Sequence, residues 1–472
     1  MKENTGIFWL RNDFRINRNN ALSFASNNHY KVSAIYIFKK FDFENKREAQ
    51  RWWLYKSLSN FKKTLIKYNI NLEVIEADTY DSGFKKILKN DNFSIYWNKI
   101  YEPNFLRFDE KIKKKLEEQN INFKVFKGNT LNEADEVKKK DGTPFKVFTP
   151  FWRTSESIYI DKEFPKKKII KKTKHKVEFL SERIDLKKIL PKKDWYKKFE
   201  NYWKPSEEEG LKIKNDFIKN KIINYGEARD IPEESGTSKI SPYLTFGQLN
   251  VEDVWDSCNK ITNKKRGYRK FINELGWREF SHSLINFFPE MLKGNLRIEF
   301  DKFPWKTNKV HLQSWKKGMT GYPIVDAGMR ELNQTGWMHN RVRMITASFL
   351  VKHLLIDWKE GEKHFRNCLM DFNEANNVAG WQWVAGCGAD AAPFFRIFNP
   401  ILQGEKFDKK GNYVKKWIPE LSSLPEKYIH KPWELNEKIN NFELGEDYPL
   451  PIVDHQKARE AALNAFQKIK KN

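Results

Sequence analysis

Along the first 130 residues, short runs rich in β-branched and aromatic side chains recur at intervals: GIFWL, VSAIYIF, NLEVIEA, FSIYWN and NFKVF. Between them lie segments such as EAQRWWLYKSLSNFKKTLIKY, whose apolar residues fall three and four apart. Strand-length runs that alternate with helical ones predict a parallel sheet with helices packed on its faces. Residues 131–205 are rich in lysine and hold neither period, so they read as an interdomain connection. From 206 onward the helical period dominates, as in FINELGWREFSHSLINFF and VDAGMRELNQ. The pattern predicts an α/β chain, with an amino-terminal Rossmann-like parallel-sheet domain over 1–130 and an all-helical domain over 206–472. No Gly-rich phosphate loop follows the first strand, which argues against ordinary dinucleotide binding there. No run approaches the ~18 apolar residues of a membrane span.

Composition adds a partner to this outline. The formal net charge is +25, and an excess of that size favours a polyanion and speeds encounter with it. Part of the lysine excess is a general bias of the chain, which is also rich in Asn and Ile. Runs such as PKKKIIKKTKHK at 165–176 read as solvated linker. Aromatic residues make up 15%, with 17 tryptophans, which excludes a disordered basic tail and equips a folded protein to stack flat groups. Cys258, Cys368 and Cys387 are too scattered for a disulfide framework or a cysteine metal site and read as buried free thiols. The start MKENTGIFWLRNDFR lacks the apolar stretch of a secretory signal, so the cytoplasm is the expected compartment.

Candidate chemistry lies in the helical half. GTSKISPYL at 236–244 clusters hydroxyls and backbone amides before a helical segment, where they serve either as caps or as a phosphate cradle. In HNRVRM at 339–344, Asn340 and Met344 share a helix face while Arg341 and Arg343 point elsewhere. Glu274 and Trp277 of ELGW likewise share a face; a structural carboxylate beside a core indole would fit that spacing too. If 378–388 is helical, Trp381 and Trp383 sit about 200° apart. One indole can then face inward and the other a cavity, though two core tryptophans fit the same spacing.

WLRNDFRINRNNAL at 9–22 resembles the opening signature of the photolyase/cryptochrome family, with Arg18 where an Asp is usual. FKVFTPFWR, GTSKISPYL, ELGWREF, MTGYPIVDAGMREL, GWMHNRVRM, DWKEGEKHF, GWQWVAG, DAAPFFRIFNP and QGEKFD follow in the family's order and span nearly the whole chain. Within the family, HNRVRM is similar to the segment of class I cyclobutane pyrimidine dimer (CPD) photolyases, whereas (6-4) photolyases place histidines there.

The resemblance implies that the helical domain binds FAD, with Tyr225, Thr237, Ser238, Lys239, Ile240, Ser241, Arg278, Arg343, Asp371, Phe372, Asn373 and Asn377 around it. Arg343 and Asp371 are expected to pair beside the isoalloxazine, and Asn377 to face the flavin's central ring nitrogen. Asn373 stands where an Asp is usual. Glu274, Trp277, Asn340, Met344 and Trp383 are expected to take the flipped dimer. Arg229, Arg341 and neighbouring lysines are expected to hold phosphates of UV-damaged DNA, double- or single-stranded. Trp381, Trp358 and Trp305 match the family's electron relay to photo-oxidised flavin. The implied activity is light-dependent repair by a deoxyribodipyrimidine photo-lyase, acting as a monomer without a membrane. A blue-light signalling cryptochrome is the alternative, disfavoured by Asn377, by the lesion-contact set and by the lack of a long tail after QKIKKN. A basic DNA-binding protein without catalysis would not need so many motifs in register. For an antenna chromophore Asn104 and Lys293 are the candidates, but Asn104 is followed by Phe105 where folate-binding members carry Glu, which leaves a folate with altered contacts, a deazaflavin or no antenna.

Overall fold

The computed structural model describes residues 5–39, 47–87, 92–162, 169–175, 184–261, 266–391, 395–435 and 442–470. All five apolar runs of the amino-terminal part form strands: β1 (Thr5–Trp9), β2 (Val32–Lys39), β3 (Asn71–Ala77), β4 (Phe93–Asn98) and β5 (Phe123–Phe126). They pair in parallel in the order β3-β2-β1-β4-β5. Both faces are covered, which is why the runs read as nearly continuous apolar stretches. One face packs Trp9, Ile37 and Trp97 against Phe84 and Ile112 of the helices Tyr80–Ile87 and Pro103–Glu118. The other joins, through the helices Asn20–Asn28 and Glu48–Ile66, a core that continues into the helical half. Polar bonds cross the same boundary. Trp53 Nε1 donates to Gln248 Oε1 at 3.0 Å, and Gln50 Nε2 to the Phe372 carbonyl at 2.7 Å. Arg18, unusual for the motif it sits in, pairs with Glu252 at 3.5 Å and with Asp256, tying the loop after β1 to the helix Val251–Asn259.

Strand order has a consequence for binding. The chain winds outward from β1 to β2 on one side and to β4 on the other. A crevice therefore opens beyond the carboxyl ends of β1 and β4, the place where open α/β sheets receive ligands. Asn12 and Asp13 follow β1, and Lys99 to Glu102 follow β4.

The central element of the helical half is Arg266–Phe287, which packs against Phe148–Ile160, Tyr225–Ala228 and Glu374–Ala385. The helix Glu374–Ala385 starts earlier and ends earlier than the expected 378–388. Asn373 caps it by accepting the Asn376 N–H at 3.0 Å, and Gly386 ends it at φ +96°, a left-handed angle that favours glycine. The helix Asn340–Ser348 starts after His339 and runs into one π-helical turn, Phe349–His353.

The stretch 131–205 is less irregular than its composition suggests. It contains the helix Phe148–Ile160, obscured in the sequence by Thr149 and Pro150. Both lie in the first turn, where a proline's missing N–H breaks no helical bond. Residues 165–168 and 176 of the lysine-rich run lie outside the described residues. The three cysteines are buried and free, as expected. Among the described residues no helix is long and apolar enough to cross a membrane.

Candidate functional site

One cavity of about 580 Å³ lies between the two halves, within the roughly 300–1,000 Å³ range of cofactor sites. Its walls come from the helix Arg266–Phe287, the segment Thr237–Thr245, the helices Asn340–Ser348 and Glu374–Ala385, and the crevice beyond β1 and β4. Tyr225, Arg229, Thr237, Ser238, Lys239, Ile240, Ser241, Glu274, Trp277, Arg278, Asn340, Arg343, Met344, Asp371, Asn373 and Trp383 all line it. Phe372 and Asn377 do not.

At the inner wall Arg343 Nη2 donates to Asp371 Oδ2 at 2.8 Å, and Arg343 Nε to the Met338 carbonyl at 2.7 Å. The expected pair is formed. Ser241 Oγ donates to the same Asp371 oxygen at 2.7 Å. The hydroxyl of Ser241 is thus engaged, neither capping the five-residue helix Ser241–Thr245 nor left for a phosphate. Thr237, Ser238 and Lys239 remain on the wall. Lys239 sits at φ +51°, and burial lowers its pKa. The other carboxylate oxygen, Asp371 Oδ1, is buried without a hydrogen-bond partner. An acceptor left so costs about 1–3 kcal/mol, and an N–H at the rim of a flavin ring would satisfy it. The wall therefore fits the FAD that the sequence implies.

Asn377 turns its amide away from the cavity: Nδ2 donates to Glu362 Oε1 at 3.0 Å, and Arg366 holds that carboxylate at 2.8 Å. Nothing in the sequence pattern singles out Glu362. Asn373 carries no charge to the wall and serves as a helix cap, for which Asn and Asp are equivalent.

At the mouth, Asn340 and Met344 line the cavity and Arg341, one position on, does not. Arg341 Nη2 pairs with Asp230 at 2.8 Å; Arg229 pairs with Glu274 and lies 3.8 Å from Asp230. Both arginines expected to hold phosphates are thus held by carboxylates beside the opening. Trp277 lies flat on Phe148, ring centroids 3.8 Å apart and planes within 7°. Trp383 Nε1 donates to the Asp390 carbonyl at 3.2 Å.

The two indoles of GWQW part as expected. Trp383 lines the cavity, while Trp381 is buried against Phe365 and Trp315, at 5.0 and 6.2 Å between ring centroids. Trp358 is buried, with Nε1 donating to Asn295 Oδ1 at 2.9 Å, and Trp305 is half-buried against Phe303. Asn104 is exposed and accepts from Arg107 at 2.6 Å; Lys293 is exposed too. Neither lines the cavity, and no contact joins them among the described residues.

Two histidines lie close by. His339 is buried at the helix start, facing away from the cavity, and burial lowers it to about 4. His282 lines the cavity, and burial keeps it well below its ordinary value. It stands eight residues beyond Glu274, about 12 Å along the helix, away from Asn340 and Met344.

Residues 6–168 match the family model described as DNA photolyase, and 271–468 the one described as FAD binding domain of DNA photolyase. The chain belongs to the photolyase/cryptochrome family. A deoxyribodipyrimidine photo-lyase of Agrobacterium fabrum is 43% identical, with 98% of each chain covered. A crystal structure titled a bacterial class III photolyase, from Agrobacterium tumefaciens, superposes with a TM-score of 0.93 at 41% identity, covering 100% of this chain and 99% of that one. A cryptochrome of Synechocystis superposes at 0.88 and 28% identity, covering 98% and 100%. The class I kinship expected from HNRVRM is therefore not supported.

Proposed function

We propose that this photolyase-family chain is a light-dependent DNA repair enzyme, a deoxyribodipyrimidine photo-lyase of class III that splits cyclobutane pyrimidine dimers. The observation that carries this reading is a single cavity with the Arg343–Asp371 pair at its inner wall and Glu274, Trp277, Asn340, Met344 and Trp383 towards its mouth. FAD held there, in its reduced form, would supply the light-driven one-electron chemistry that splits the dimer. Everything else falls to the protein.

Arg343 and Asp371 would hold the ring system, Asp371 Oδ1 being free to accept an N–H from it and Arg343 offering a positive charge beside it. Thr237, Ser238, Lys239 and Arg278 take the phosphates and sugar. The lesion must leave the duplex stack, at a cost of a few kcal/mol that is smaller for a base pair already distorted. Trp277 and Trp383 replace the lost stacking at about 1–3 kcal/mol per base. Glu274 and Asn340 bond base edges while Met344 fills the remaining apolar contact. Arg229 and Arg341 exchange their carboxylate partners for DNA phosphates, which fix register without reading sequence. Trp381, Trp358 and Trp305 carry electrons inward when the flavin is oxidised.

We place a second chromophore, where one binds, in the crevice beyond β1 and β4 lined by Asn12 and Lys99 to Glu102, in preference to Asn104 and Lys293. We retain the division into 1–130, 131–205 and 206–472, a monomeric state and a cytoplasmic setting. The test is blue-light illumination of an oligonucleotide carrying one defined cyclobutane dimer. A signalling cryptochrome binds FAD and leaves that lesion intact.

A further inference from the structure

The stretch 390–400 carries the motif DAAPFFRIFNP that marks the family, yet its one acidic residue, Asp390, has no part in the chemistry above. Asp390 holds φ +50°, a left-handed angle that Asp and Asn enter more readily than other residues with a side chain. Its carbonyl oxygen accepts the indole N–H of Trp383 at 3.2 Å. Its carboxylate faces the backbone N–H of Phe148. Phe148 opens the helix Phe148–Ile160, whose cap residue, Val147, offers no side-chain acceptor. The first N–H groups of a helix have no partner within it, and their partial positive charge favours a carboxylate nearby. Phe148 in turn carries Trp277 on its ring face at 3.8 Å and 7°, with Phe280 at 6.1 Å on its edge. Trp277 and Trp383, distant from each other in sequence, both line the cavity, as does Ala389 beside Asp390.

We propose that Asp390 is a positioning residue that clasps the two tryptophan walls of the lesion pocket together, through its carbonyl to Trp383 and through its side chain and Phe148 to Trp277. The left-handed backbone lets one residue turn its carbonyl and its carboxylate towards separate elements. Phe148 backs one face of Trp277 and leaves the other for the dimer. The slot is then set before the lesion arrives, and little ordering remains to oppose binding. This inference rests on the repair reading given above.

The test compares FAD-loaded wild type, Asp390→Ala, Asp390→Asn, Phe148→Ala, Phe148→Tyr and the Asp390→Ala/Phe148→Ala pair, all chemically reduced. Asp390→Ala and Phe148→Ala are each expected to raise KM for dimer-containing DNA about tenfold, the order of one lost stacking contact, with kcat within about twofold. The pair should lose little more than either alone, because both act through one slot. Phe148→Tyr keeps the stack and should restore the wild-type KM, and affinity for undamaged DNA should not change. Should Asp390→Ala fail to hold FAD, Asp390→Asn carries the test, since Asn tolerates the same angle and removes only the charge; its KM should rise by about threefold. Additive losses in the pair, equal loss of undamaged binding, a fall in kcat alone, or a wild-type KM in Asp390→Asn would overturn the clasp. A wild type that does not prefer dimer-containing DNA would instead refute the repair reading on which it stands.

Discussion

Asp371→Asn removes one charge from the inner wall while keeping the side chain's shape, and so measures what the Arg343–Asp371 pair contributes. Asp371 is 4% exposed at its side chain and Arg343 23%, so the pair is largely shielded from water. Breaking a fully buried pair costs about 3–5 kcal/mol because the remaining charge is stranded. Here the cost is smaller. Arg343 keeps its bond to the Met338 carbonyl at 2.7 Å, and an Asn oxygen can still accept from it. What disappears is the charge-assisted part and the carboxylate acceptor at Oδ1, on the order of 1–3 kcal/mol. At ~1.4 kcal/mol per decade, FAD affinity should fall roughly tenfold to a hundredfold. Asp371→Ala, which removes the acceptor of Arg343 Nη2 and of Ser241 Oγ, should fall further. FAD released on dialysis is read by its fluorescence, and Kd by titrating it back. FAD held at wild-type affinity by both variants would refute the assignment of this wall to the flavin.

Trp381→Phe should block photoreduction of oxidised flavin and leave dimer splitting intact once the flavin is reduced chemically; loss of both with FAD retained would show that relay and lesion roles are not separate. Affinity for dimer-containing duplex should fall with salt, and Arg229→Gln or Arg341→Gln should each lower the slope of log K against log salt by about one. A slope unchanged in both variants would remove them from the phosphate contacts. Burial lowers His339 to about 4 and His353 and His364 to about 3, against ~6.5 in an unfolded chain. The unfolded chain then binds more protons below ~6.5, so stability falls as pH drops from there towards 4. Asp326 and Asp408, raised by burial to about 6, act in the opposite sense between pH ~4 and ~6. The histidine contribution is isolated by difference: His364→Phe should lose less Tm than wild type between about pH 7 and pH 5, and parallel Tm curves would contradict it.

Local patterns in the sequence foretold local features of the fold. The five strands were legible because each is a short apolar run bounded by polar residues, and the split between Trp381 and Trp383 because 100° per residue is a property of any helix. The Arg343–Asp371 pair followed from motif order. Features that depend on how elements meet were not legible. The donation from Ser241 to Asp371 spans 130 positions, and the contact of Asn377 with Glu362 depends on how two helices pack. Phe148 backs Trp277 only because a helix inside a lysine-rich connection docks on the helix Arg266–Phe287. Asn104 and Lys293 follow from motif position, whereas the crevice that extends the cavity is created by the order of β1 and β4.

The mouth of this cavity is shaped for a cyclobutane dimer and offers no histidine acid for other chemistry. Asn340 and Met344 do not titrate near neutral pH, His339 faces away, and His282 is neutral and distant along its helix. The most direct measurement is chromatography of two oligonucleotides, one carrying a cyclobutane dimer and one a (6-4) product, illuminated with blue light in the presence of the protein with reduced FAD. The dimer should be converted to two intact pyrimidines and the (6-4) product should remain unchanged. A dimer left intact despite reduced flavin, or repair of the (6-4) product, would contradict the account.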